Sequence, residues 1–228
     1  MQRWARGLAC AAIAALLAAG CGESKAPTPA GARHGATTTT PAVATPPHDD
    51  AGRAQFALVR RADVPDRVID QNDRRNHAEC SPRVLFRHSA AAIATTPRYV
   101  TARARVQQSV LLFRDAATAA AAYGRLDSRA NRRCIAHYTY IEAVRRAAQA
   151  LTALTTQTLL LEPVGQRSTS YRLSIPIPGH AAASDVLFNR IGRALSSVSV
   201  VWDPAPTDLA FEEALVRRIA ARVRTALG

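Results

Sequence analysis

The residues best suited to chemistry form a mirrored pair, His77-x-x-Cys80 and Cys134-x-x-His137. Two thiolates and two imidazoles would give zinc a tetrahedral set of four ligands. The same two cysteines could instead close a disulfide. The long separation of the two halves stands against zinc, and a histidine three residues after a helical cysteine is a spacing that chance supplies often. No Gly-x-Ser-x-Gly, His-Glu-x-x-His, P-loop or dinucleotide glycine motif occurs. Nothing fixes a Ser/His/Asp triad, so no catalytic residue is assigned and no cofactor is expected. His88 fits a satisfied strand residue. His180 falls in a loop, Gly179–Ser184, where nothing supports a role.

The choice between metal and disulfide turns on the compartment. Arg3 and Arg6 precede an apolar run, Leu8–Ala19, which ends in the small residues Ala19-Gly20. This is the pattern of a signal peptide. A transmembrane helix needs about 20 apolar residues, and this run is shorter. The cysteine directly after the cut, in Leu17-Ala-Ala-Gly-Cys21, looks like the lipobox of bacterial lipoproteins, in which that cysteine is lipidated and becomes the new N-terminus. Of the four cysteines, Cys10 leaves with the signal and Cys21 is taken by lipid. Cys80 and Cys134 remain, and in an oxidising compartment a disulfide is their default.

Charge narrows the partners. The formal net charge is +13, and only Lys25 among 30 basic residues is a lysine. Loss of residues 1–20 removes two arginines and no acid, lowering the charge to +11. In an exported protein such a surface points to anionic headgroups or wall polymers, not to nucleic acid. Residues 21–50 form a lipid-anchored linker of Ala, Pro and Thr with no apolar periodicity. As a flexible coil its ends sit about 30 Å apart.

Residues 51–228 must then hold the positioning elements in one domain. Gln55–Arg61 suggests a short helix stopped by Pro65, and Asp66–Glu79 a polar loop. Val84–His88 and Arg103–Phe113 alternate as strands. Asp115 caps a helix that carries Cys134 inward at its end, with Arg125, Arg129, Arg132 and Arg133 elsewhere on its surface. Glu142–Leu154 suggests a second helix. Thr158–Glu162, Ser170–Ile175, Asp185–Arg190 and Ala194–Trp202 suggest strands, the last two joined by a tight turn at Gly192. Tyr171 and Trp202 fit core packing. A final amphipathic helix, Asp208–Ala226, buries Leu215, Val216, Ile219, Ala220 and Val223 and exposes Arg217, Arg218 and Arg224. The class is α+β: a twisted antiparallel sheet of about six strands with helices packed on one face.

Phe56-Ala-Leu-Val with Ala62-Asp63-Val64-Pro65, a loop cysteine at Cys80, Ser109–Phe113 leading into Asp115-Ala-Ala, and Cys134 follow one another in an order that resembles the PknH-like extracellular sensor domains. The hairpin around Gly192 and the terminal helix complete the likeness. Such domains occur in actinobacterial exported lipoproteins and on the outside of receptor serine/threonine kinases. The resemblance implies an α+β fold with a cleft for an unidentified ligand. The chain departs from the kinase members in having no kinase domain and a single cysteine pair. The expectation is therefore an exported, non-catalytic ligand-binding or sensor domain, held on the outer side of the cell membrane by lipid on Cys21. Its ligand would be a small anionic or amphipathic molecule. The alternatives are an envelope hydrolase on the same scaffold and an interaction lipoprotein that docks anionic wall polymers.

Overall fold

Alternation along the strands decides what each face of the sheet carries. The structure, a computed structural model, describes residues 45–64, 69–71, 79–147, 154–177, 180–203 and 206–228. The expected signal segment, Cys21 and most of the expected linker lie outside these residues. The described elements are α1 (Asp50–Phe56), a 3-10 turn (Arg61–Asp63), β1 (Ile69–Gln71), α2 (Pro82–Leu85), β2 (Ala92–Thr95), β3 (Arg98–Val100), β4 (Ala104–Leu112), α3 (Ala116–Leu126), α4 (Arg129–Ala147), β5 (Thr155–Thr158), β6 (Arg167–Ile177), β7 (His180–Ile191), β8 (Ala194–Trp202) and α5 (Leu209–Leu227).

The strands join in one antiparallel sheet in the order β1-β3-β4-β8-β7-β6-β5, with β2 also paired to β4. Ile191 faces Ala194 across the β7–β8 hairpin, and Gly192 between them has φ +57°. That left-handed conformation suits glycine. On one face Val106, Val110 and Leu112 of β4, Leu187 and Ile191 of β7, and Val198, Val200 and Trp202 of β8 pack under α1 and α5. On the other, Leu111, Phe113, Tyr171, Val186, Phe188 and Leu195 pack under α3, with Phe86 beside them.

The α+β class and the antiparallel sheet stand, but helices cover both faces and the described sheet has eight strands. The extra strands β1, β2 and β3 are only three or four residues long, too short to show a period. Val84–His88 is not a strand. Ser81 caps α2 through Val84 N–H, and Pro82 occupies its first turn, a helix start that outweighs the alternation. The helix expected from Asp115 to Cys134 is two: α3 ends at Leu126 and α4 begins at Arg129, so Cys134 lies inside α4. The expected second helix, Glu142–Leu154, is in its described part the end of α4. The first helix starts at Asp50, with Asp49 accepting from Gly52 N–H, ahead of the expected Gln55. The strand expected at Thr158–Glu162 is Thr155–Thr158.

Among the described residues the core clusters lie within Ala44–Gly228, a compact unit with its own apolar interior, as a domain that folds by itself requires.

Candidate functional site

Chemistry in the described residues concentrates under the first turn of α5. Asp208 caps that helix by accepting from Phe211 N–H, which sets Glu212 one residue further on, facing the sheet. Below it are Asp185 on β7, Trp202 on β8 and Arg172 on β6, on the face that α5 covers. Cross-strand register brings Arg172 opposite Asp185. The guanidinium donates to both carboxylate oxygens at 2.7 Å each. Trp202 Nε1 donates to Glu212 Oε1 at 2.7 Å and to Asp185 Oδ2 at 3.1 Å.

This places two carboxyl groups and one guanidinium in a closed space. Asp185 and Glu212 have no solvent exposure. Burial, then the facing Asp185, push Glu212 up to about 9. It is therefore protonated at neutral pH, which leaves one positive and one negative charge below the helix. Glu212 Oε2 is buried without a hydrogen-bond partner among the described residues. A raised carboxyl beside a second carboxylate is also the electrostatic pattern of an acid–base site. Here both groups lie between helix and sheet, where Trp202 on β8 donates to each of them.

The raised value has a sign. A carboxyl held above its unfolded value near 4.3 contributes its full stability below that pH. The contribution falls as pH rises towards about 9, by at most roughly 1.4 kcal/mol per unit. Glu212→Gln keeps the acceptor for Trp202 Nε1, and its amide donates to Asp185 without titrating. The variant should match the wild type near pH 4.5 and melt higher at pH 8.5. Thermal melts at both values test this, and a wild-type stability that is flat from pH 5 to 9 contradicts it.

A second place is basic. Cys80 and Cys134 are joined in a disulfide, Cα–Cα 5.9 Å, which ties the start of α2 to the middle of the α4 surface. The guanidinium of Arg125, at the end of α3, stands 5.4 Å over the Phe86 ring, just after α2. Arg83, Arg87, Arg125, Arg129 and Arg133, on the segments that the disulfide and this ring contact link, are all exposed. Asp127, between α3 and α4, pairs with Arg132 instead. Among the described residues none of the five has an ion-pair partner; Arg87 donates to the exposed His88 at 2.8 Å.

With both sulfurs in the disulfide, neither is a thiolate for zinc. His77 lies outside the described residues, and His137 is exposed and meets Tyr138 edge-on at 5.9 Å. No cluster of three metal-ligating side chains occurs among the described residues, and no described helix is long and apolar enough to cross a membrane. His180 begins β7 instead of lying in a loop. Tyr171 and Trp202 are core residues, 1 % and 2 % exposed. The apolar strand surface at Val198–Trp202 is covered by α5.

The carboxyl pair was missed at the sequence level, though a signal existed. Glu212 is in phase with the buried stripe Leu215, Ile219 and Val223, and Asp185 with Leu187 and Ile191. An acid in register with an apolar face must be neutral or paired.

No family model matches the chain, and no curated protein does. Among solved structures it is similar to the crystal structure of the extracellular domain of PknH from Mycobacterium tuberculosis. The two are 12% identical over 75% of this chain and 95% of that one, with a TM-score of 0.43. At that level nothing about ligand or activity follows.

Proposed function

We propose that this chain is an exported, lipid-anchored, non-catalytic binding domain of the cell envelope, with an anionic or amphipathic ligand. The observation that carries the reading is the exposed arginine face of α2, α3 and α4, which has no carboxylate partners among the described residues. Arginine suits the task because its planar guanidinium meets carboxylate or phosphate in a two-pronged hydrogen bond. The disulfide supports an oxidising compartment, where such bonds persist. The enclosed position of Asp185 and Glu212 supports a non-catalytic reading.

The N-terminal pattern supplies the address. Lipid on Cys21 would place the domain outside the cytoplasm, on a flexible tether. Replacing Cys21 by Ala should release the protein from membranes or leave an uncleaved precursor, seen by fractionation and intact mass. Normal cleavage with unchanged membrane retention would remove the anchor from the proposal. Native mass spectrometry of the purified domain should find a co-purified anionic or amphipathic molecule, and a mass equal to the bare chain counts against the ligand.

A further inference from the structure

We propose that the arginine face of α2–α4 lies on the anionic headgroups of the bilayer to which the chain is tethered. The inference rests on the reading of this face as an anion-binding surface and names its partner.

The first support is the distribution of charge. The acids elsewhere are occupied: Asp50 with Arg193, Asp63 with Arg222, Asp203 with Arg105. Arg83, Arg87, Arg125, Arg129 and Arg133 keep their charge, and beside them only Glu79 is an exposed described acid without a partner. The second is that the five are held as a group. The disulfide sets Arg133 beside Ser81-Pro82-Arg83, Arg129 and Arg133 are one helical turn apart, and the stacking on Phe86 draws Arg125 towards Arg87. The third is how arginine sits on such a face. The guanidinium of Arg125 stands over the ring of the buried Phe86 while the residue stays exposed, so the ring fixes its place on the surface.

The tether is what favours a bilayer over other polyanions. An Ala/Pro/Thr-rich segment of residues 22–50 precedes the domain. With its far end on lipid at Cys21, the domain would sit on average about 30 Å from the headgroups. That corresponds to an effective concentration on the order of millimolar. Each arginine at an anionic surface then contributes roughly a fivefold gain in partitioning.

Residues 21–228 carrying Cys21→Ser, made without the signal segment, are the material for the test. They should sediment with vesicles of phosphatidylcholine and phosphatidylglycerol and stay free of vesicles of phosphatidylcholine alone. Salt should release them. Arg129→Gln with Arg133→Gln should lower partitioning roughly 25-fold, and Arg83→Gln with Arg87→Gln should do the same. Arg217→Gln with Arg224→Gln, on the α5 side, should leave it within about twofold, each variant keeping the wild-type melting temperature. An equal loss from the α5 pair would show a response to net charge and overturn the proposal. Binding to soluble polyphosphate but not to anionic vesicles overturns the bilayer and leaves the anion-binding reading. Binding to neither overturns both.

Discussion

Reduction of the Cys80–Cys134 bond lowers the melting temperature of the domain by roughly 10 °C. The bond closes a loop across a sequence separation of 54. In the chain-entropy model that is worth ~4 kcal/mol, and for a domain of this size each kcal/mol moves the midpoint by ~2–4 °C. The loop contains β2, β3, β4 and α3, so its closure constrains the unfolded form of three of the eight described strands. α2 is only four residues long, so it has few backbone hydrogen bonds of its own. The double variant Cys80→Ser/Cys134→Ser should behave like the reduced protein. Identical melts with and without reductant, after mass analysis has shown the bond broken, would contradict the assignment.

Asp185→Ala should destabilise the domain by ~3–5 kcal/mol. It leaves Arg172, with its side chain 13% exposed, as a charge without its partner. It also takes one of the two acceptors from Trp202 Nε1. Domains of this size are stable by only ~5–15 kcal/mol, so the loss is a large share. Trp202 reports it directly in residues 21–228, because the other tryptophan of the chain is Trp4. Replacing both members, Asp185→Leu with Arg172→Met, should restore most of the stability, since no charge is left unpaired. A single variant that loses less than about 1 kcal/mol would show that the pair does not hold α5 down.

What the sequence made legible was what repeats. Arg103–Phe113 and Ala194–Trp202 alternate, and both are strands with a buried side. Leu215, Val216, Ile219, Ala220 and Val223 recur at helical spacing and are buried as expected. Short elements carry no period, which is why β2 and β3 went unseen and Val84–His88 took the wrong form. The break between α3 and α4 has a local cause: Ser128 Oγ donates to Arg125 C=O and accepts from Asn131 N–H, ending one helix and opening the next. The second covered face of the sheet was hidden for another reason. It depends on which side each connection crosses, and that is set by packing rather than by spacing. The arginines were visible individually, but their gathering depends on a disulfide and a ring contact between distant segments.

The middle of the sheet has a consequence in time. β4 pairs β8 along its whole length, from Ala104 with Trp202 to Leu112 with Ala194. A chain that emerges N-terminus first therefore displays one open side of β4 until nearly all of it has been delivered. Pairings this far apart in sequence form slowly, and an open strand edge invites the wrong neighbour. During that wait Val106, Val110 and Leu112 have no α5 above them. The interval between arrival and closure is thus the domain's most vulnerable period, and it lasts until the final strand and helix arrive to seal the sheet from the inside outward.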